Sequence, residues 1–283
     1  VARAKRLAFV ALLVLFACSP PEQTAHTDDL GRPVALTTSA RRVVSLAPNL
    51  TEMLFAIGAG NRIVGVDDFS NFPPDAKRIP KVGGMQPNVE KIAALEPDLV
   101  VASTEGNHPN LAPALAAASI PLYVVRTDRL DQIAPAMERI GALLEAPRTK
   151  DAVRELRGAI DAQKRTRAKK LRILFMVWTE PLYVAGRNTF TDDLFQLTGA
   201  QNAVQVDGWP AYSLESLVAS PPDLILYPRG AVTPQHVEAL MKRLPSLRAE
   251  VVSVNEDIFQ RPGPRVADAA RALNAILDAR GDR

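Results

Sequence analysis

The stretch VEKIAALEPDLVVA (residues 89–102) is written a second time as LESLVASPPDLILY (residues 214–227), at a constant offset of 125 residues. The offset pairs Glu90 with Glu215, Ala94 with Ala219, Pro97 with Pro222, Asp98 with Asp223 and Leu99 with Leu224. Each copy reads as a short helix, a proline that ends it and a β-branched or leucine-rich strand that follows. The Pro-Asp-Leu steps are scaffold: the prolines stop the helices and the next two residues open the strands. A helix-into-strand unit written twice predicts a duplicated α/β architecture.

Working outward, a second echo supports the first. LFAIGAGNRIVGV (residues 54–66) returns as LFQLTGAQNAVQV (residues 194–206) with one residue inserted. Before it, RRVVSLA (residues 41–47) reads as a buried strand, and Leu50, Met53, Leu54 and Ile57 recur at helical spacing until Gly58 and Gly60. IVGV (63–66), DLVVA (98–102), IPLYVV (120–125) and LRILFMV (171–177) are further strands. Between the halves, Ile133, Met137, Ile140 and Leu144 mark one helix that ends near Ala146-Pro147. Val153, Leu156 and Ile160 mark another, predicted to run from Arg148 to Ala168. A helix of that length reaches about 30 Å and makes a stiff bridge. The predicted division is a first α/β lobe over 41–130, connecting helices over 131–170 and a second α/β lobe over 171–283, with a ligand cleft between the lobes.

The 283 residues carry a formal charge of +3, and Arg3, Lys5 and Arg6 account for all of it, leaving 31 Lys/Arg against 31 Asp/Glu. A neutral body removes the electrostatic case for nucleic acid. Those basic residues precede the apolar run LAFVALLVLFA (7–17) and then Cys18, the single cysteine. Residues 1–17 read as a secretory signal, too short to span a bilayer. LFAC (15–18) resembles a bacterial lipobox, which makes Cys18 the lipidated N-terminus of an exported protein anchored to a membrane; Ser19 after it points to outer-membrane sorting. Residues 18–40, beginning CSPPEQTAHTDD, read as the lipidated N-terminus and a polar tether with a solvated His26. With Cys18 acylated, no thiol is left for a disulfide, a metal or catalysis.

Asn88 and Ser213 are N-cap residues, so Glu90 and Glu215 fall in the first turns of equivalent helices. A carboxylate there gains about 0.3–1 kcal/mol from the helix dipole. The repetition adds a second role, docking on two equivalent basic sites of a symmetric partner. SLAPNLTEMLFAIGAGNRIVGVDDFSNFPP (45–74), followed by KVGGMQPNVEKIAALEPDLVVAS (81–103), resembles the helical-backbone substrate-binding proteins of bacterial ABC importers, and among them the cobalamin binders. The resemblance runs from Arg41 to the C-terminus. It implies two three-layer α/β lobes joined by one long backbone helix, a monomer in the periplasm and an ABC permease dimer with its ATPase subunits as partner. Arginines on that permease would meet one glutamate per lobe, here Glu90 and Glu215.

The resemblance also implies a ligand held between the lobes without chemistry: cobalamin or a related corrinoid, with a ferric siderophore or haem as alternatives, and no built-in cofactor. Among fifteen aromatic residues, Phe69 and Trp209 match positions that face ligand in such proteins, and Trp178 follows a strand where a loop opens toward the cleft. Asp257 and Arg261 in NEDIFQRPGPR match the family's polar loop. This chain departs from the cobalamin binders at Ile258, at GGMQP and at STEGN, which lack aromatic residues found there. Tyr183 and Tyr212 are additional candidates, and His108 reads as a surface residue. A metal-ion receptor would need converging ligands, and His26, His108 and His236 show no such spacing. A lipid-anchored hydrolase is the alternative of a different class, but the chain has no GxSxG, HExxH or phosphate-binding glycine loop.

Overall fold

The computed structural model describes residues 24–36, 39–106 and 110–281. The signal segment, Cys18 and His108 lie outside the described residues. The predicted tether is already folded from Thr24 onward: β1 (Thr24–Thr27) and β2 (Pro33–Leu36) form an antiparallel hairpin that buries Val34 and Leu36. Its turn closes on Asp28, whose carboxylate accepts from the Leu30 and Arg32 amides and the Arg32 guanidinium. Burial pushes the Asp28 carboxyl up, but Arg32 and the amides outweigh it and hold it below the usual carboxylate range. Asp29 fastens the turn to the first lobe, donating its amide to Val124 and pairing with Arg139 at 2.6 Å.

The first lobe contains β3 (Val43–Ser45), α1 (Pro48–Ala56), β4 (Ile63–Val66), α2 (Val89–Ala94), β5 (Leu99–Ser103), α3 (Leu111–Ala117) and β6 (Leu122–Val125). Its sheet is parallel throughout, in the order β4-β3-β5-β6. After the connecting helices α4 (Leu130–Leu143) and α5 (Thr149–Asp161) come β7 (Arg172–Thr179), β8 (Leu182–Val184), α6 (Phe190–Leu197) and β9 (Gln201–Asn202). The second lobe continues with α7 (Leu214–Ala219), β10 (Leu224–Arg229), α8 (Pro234–Lys242), β11 (Glu250–Asn255), α9 (Glu256–Phe259) and α10 (Val266–Gly281). Its parallel strands follow the order β9-β7-β10-β11, the order of the first lobe repeated, and β8 adds an antiparallel strand along the outer half of β7.

The duplication extends to side chains. Asp98 accepts from the Arg41 and Arg42 amides, and Asp223 accepts from the Arg172 amide, so each Pro-Asp-Leu carboxylate ties its strand to the neighbouring one. Arg42 and Arg172 return the tie through carbonyls at the end of the preceding segment. Gly58 and Gly199 follow the C-caps of α1 and α6 at φ +84° and +75°, a left-handed conformation that closes both helices.

One apolar core runs through both lobes. Leu54, Ile57 and Val101 of the first lobe join Ile133, Met137, Ile140 and Leu156 of the connecting helices, and Phe175, Phe195 and Leu273 of the second. The opposite face of each sheet has its own smaller cluster. α5 ends at Asp161, short of the predicted Ala168. The polar groups beyond it are taken by the second lobe: the Arg165 amide donates to Leu197, Asn274 donates to the Gln163 carbonyl, and Arg167 reaches Thr198, Asn274 and Asp278. Thirteen residues span about 20 Å, and α4, packed beside α5, shares the bridge. Their contact is close at Gly141, where an added Cβ would stand 2.2 Å from Thr149 Oγ1.

A buried ionic cluster crosses between the lobes. Glu52 of α1, 4% exposed, takes a two-pronged hydrogen bond from Arg265, with Nε to Oε2 at 2.8 Å and Nη2 to Oε1 at 2.5 Å. Arg261 stands 3.5 Å from the same carboxylate and pairs with Asp257 at 2.5 Å. Asn71 and the Phe69 carbonyl accept from Arg261, Asn71 donates to Asp257, and Asn49 donates to the Pro262 carbonyl. Arg265 also lies over the Phe72 ring, 4.2 Å from its centroid. Burial works against the charge on Arg265, but the Glu52 carboxylate outweighs it and raises the guanidinium pKa.

Two variants test this packing by urea unfolding. Gly141→Ala, normally favourable in a helix, is expected to cost about 1–3 kcal/mol because Thr149 cannot move off the added methyl. Glu52→Ala is expected to cost about 3–5 kcal/mol by leaving buried guanidinium charge uncompensated, and Glu52→Leu with Arg265→Met should recover most of it. A double variant no more stable than Glu52→Ala would show that the loss comes from packing and not from charge.

Candidate functional site

In parallel sheets, loops at the carboxyl ends of the strands gather where the strand order reverses. In the first lobe that place is β3, flanked by β4 and β5. The loops after these three strands meet the Gly230–Ala231 turn after β10 and the Glu256–Pro262 segment after β11. Between them lies a cavity of about 630 Å³, a size suited to a small organic ligand.

The first wall is the turn after β4, built on a chain of hydroxyls. Thr51 Oγ1 bonds Ser45 and Ser70, and Ser70 Oγ donates to Asp67 Oδ2 at 2.5 Å. Asp67 Oδ1 accepts from the Phe69 amide, and Lys81 Nζ holds the Asp67 and Ser70 carbonyls. Burial raises the Asp67 carboxyl above its ordinary value, against the pull of Ser70, the Phe69 amide, Lys81 and Arg261. Burial likewise lowers the Lys81 ammonium, against the attraction of Asp67 and Asp68. This turn presents the Phe69 ring, 55% exposed, into the cavity. The ring lies on Gly84, where a Cβ would come within 3.1 Å of it, and Met85 beside it is 64% exposed.

The second wall is the β11–α9 junction. Asn255 caps α9 by accepting from the Asp257 amide, and Glu256 Oε2 accepts from the Ala231 amide at 2.9 Å. The Glu256 carboxylate fills the space where a Cβ on residue 230 would be, so only glycine fits, here at φ +141°. The third wall follows β5, with Ser103, Glu105 and Gly106. Glu105 faces cleft solvent, yet the surrounding walls desolvate its carboxyl and Asp128 adds like charge, and both raise its pKa.

The structure brings Phe69 and Arg261 to this cavity, with Asp257 behind Arg261 as its ion-pair partner. Trp178 and Trp209 stand outside the lining. Trp178 ends β7, 40% exposed, bonded to the Glu180 carbonyl and edge-on to His236, and Tyr183 faces it across the β7–β8 pair. Trp209, 45% exposed, precedes the residues that pair with β8 through Pro210 and Tyr212. Sequence reasoning passed over Glu52, Met85, Glu105 and Glu256. Glu52 carried a signal, a carboxylate inside the apolar helix NLTEMLFAI; Met85 lies on a loop, and Glu105 and Glu256 lie in single helical turns too short to show periodicity.

Glu90 and Glu215 are where the repeat puts them. Asn88 accepts from the Lys91 amide and Ser213 from the Ser216 amide, which caps α2 and α7. Both glutamates are exposed, and neither has an ion-pair partner among the described residues. Also among the described residues, no helix is long and apolar enough to cross a membrane, and no group of three or more His, Cys, Asp and Glu is placed to hold a metal ion.

Comparison with known proteins places this geometry. The vitamin B12-binding protein of Pectobacterium atrosepticum is 31% identical over 248 residues, covering 84% of this chain and 88% of that protein. The crystal structure of the periplasmic vitamin B12 binding protein BtuF of Vibrio cholerae superposes with a TM-score of 0.71 at 27% identity, over 85% of this chain and 98% of the other. A periplasmic heme binding protein from Pseudomonas aeruginosa superposes with a TM-score of 0.73 at 27% identity, over 84% of this chain and 92% of the other. Residues 43–249 match the sequence profile described as periplasmic binding protein, and the chain belongs to that family.

Proposed function

We propose that this protein captures a corrinoid, cobalamin first, in the cleft between its lobes and hands it to an ABC permease. The observation that carries the reading is the cavity itself: an exposed aromatic face at Phe69, apolar walls at Leu46–Pro48 and Met85, and hydrogen-bonding groups at its rim. A flat macrocycle with polar side arms needs that combination. The naming of the relatives supports a corrinoid, while the haem binder among the structural neighbours keeps haem as the second candidate. Haem iron is commonly held by His or Tyr, and among the described residues no His or Tyr lines the cavity.

Several parts of the reading extend beyond the cavity. Trp178 and Trp209 serve as outer contacts for the arms of a ligand too large for the cavity alone. Residues 41–130 and 171–283 act as the two lobes, with 131–170 as the bridge. Capture involves no bond making or breaking, so the protein is a carrier and not an enzyme. Cys18 is lipidated, and the protein works as a monomer in the periplasm, tethered to the membrane. Glu90 and Glu215 dock on arginines of the permease dimer, and their freedom from internal ion pairs supports that role. ATP-driven rearrangement of the partner then loosens the lobes.

Isothermal titration of the mature protein tests the ligand, with cyanocobalamin, cobinamide, haem and a ferric siderophore run side by side. A corrinoid is expected to bind one-to-one, and Phe69→Ala to weaken it about three- to tenfold, in line with the worth of an aromatic contact. Heat with haem or the siderophore alone would keep the carrier and change its cargo. Glu90→Ala with Glu215→Ala is expected to abolish transport in a permease-dependent uptake assay while the titration stays unchanged. Loss of affinity in that double variant would move both residues out of docking.

A further inference from the structure

The cavity is unevenly charged. Among its described lining residues three are acidic, Asp67, Glu105 and Glu256, and one is basic, Arg261. Arg261 is not free to receive an anion. Its Nη1 is spent on Asn71 and faces Glu52, and its Nη2 is spent on the Phe69 carbonyl and Asp257. Asp67 is turned away as well, buried, with both oxygens accepting hydrogen bonds from its own turn. What a ligand meets is therefore Glu105 from one lobe and Glu256 from the other.

These two carboxylates differ from the glutamates on the surface. Glu105 has no ion-pair partner among the described residues, and the charged group acting on it is another carboxylate, Asp128. Glu256 is held in place by the Ala231 amide and by the glycine beneath it, so it cannot swing out of the way of a ligand. Glu256 is a fixed acceptor, and Glu105 lines the other lobe's wall with no cation beside it among the described residues; two carboxylates offered to one ligand favour N–H donors and repel anions. A carboxamide and a carboxylate have almost the same shape, so charge and proton count are what separate them here.

Resting on the corrinoid reading, we infer that Glu105 and Glu256 make the cleft selective for chelates whose rim carries carboxamides and exclude chelates whose rim carries carboxylates. The pair acts as a specificity filter, one residue per lobe, distinct from the aromatic surface that gives affinity. It also sets haem, with its ionised propionates, against a corrinoid with its amide arms.

The test uses matched ligands on the mature protein. Cyanocobalamin and its monocarboxylic acids, each with one peripheral amide hydrolysed, are titrated calorimetrically at pH 8 and low salt. At least one acid is expected to bind tenfold or more weakly than the amide, a gap of about 1.4 kcal/mol. The readout is the acid-to-amide ratio within each protein, which is expected to fall to about twofold in Glu105→Gln with Glu256→Gln. Equal binding of every acid and the amide would overturn the filter and leave the corrinoid reading standing; so would a gap that survives in the double variant. If cyanocobalamin gives no heat, the corrinoid reading fails, and haemin against its dimethyl ester then judges the filter alone. Binding of the ester with little binding of haemin sustains it, and tight binding of haemin overturns it.

Discussion

The Glu52–Arg265 contact is the constraint around which the cleft is arranged. Its carboxylate belongs to the first helix of one lobe and its guanidinium to the segment entering the last helix of the other. Neither charge would survive burial alone, since an unpaired ion in a protein interior costs several kcal/mol. Each lobe therefore supplies the condition for the other's side chain to fold inward. Arg261 and Asp257 complete the cluster so that two positive and two negative groups balance. The lobes are joined a second time by apolar packing along α4 and α5, and a third time by Arg129, which grips Asp193 of α6 from the other side of the bridge. Burial opposes the Arg129 charge, but the Asp193 carboxylate dominates and raises its pKa. Three attachments of different kinds leave little room for the lobes to swing, so the cavity is largely formed before ligand arrives and little ordering has to accompany binding.

How much of this was legible in the sequence follows from the kind of signal each part leaves. The duplication was legible because it is a pattern of spacing: the strand order β4-β3-β5-β6 repeats as β9-β7-β10-β11 in halves whose echoes stand at offsets of 125, 140 and 141 residues. The helix caps at Asn88 and Ser213 were legible because capping is local chemistry. The length of the bridge was not. Apolar residues at Val153, Leu156 and Ile160 set where α5 packs, but the chain beyond its end is held by Arg167, whose partners Asn274 and Asp278 lie more than a hundred residues further on. The hairpin at β1 and β2 was hidden for the same reason. Its strands are only four residues each, and Asp28 and Asp29 gain their value only against Arg32, Val124 and Arg139.

The candidate site divides along the same line. Phe69 and Arg261 could be found from resemblance, because their loops keep a recognisable wording. Glu105 and Glu256 could not, since each is one carboxylate in a short polar segment and nothing in either segment points to the other. Trp178 and Trp209 show the converse. Aromatic residues are conspicuous in a chain that has few, but β8, inserted along β7 with no counterpart in the first lobe, carries that aromatic surface outside the cavity lining.

Four glutamates differ in where the fold places them. Glu90 and Glu215 stand at exposed helix starts, where the helix dipole favours a negative side chain. Glu105 and Glu256 line the cleft, one on each lobe, where their charge acts at short range on whatever enters. On the proposed reading, the same side chain is a long-range handle on the surface and a short-range filter in the cleft. The fold makes the difference by placing α2 and α7 at the surface and the ends of β5 and β11 between the lobes.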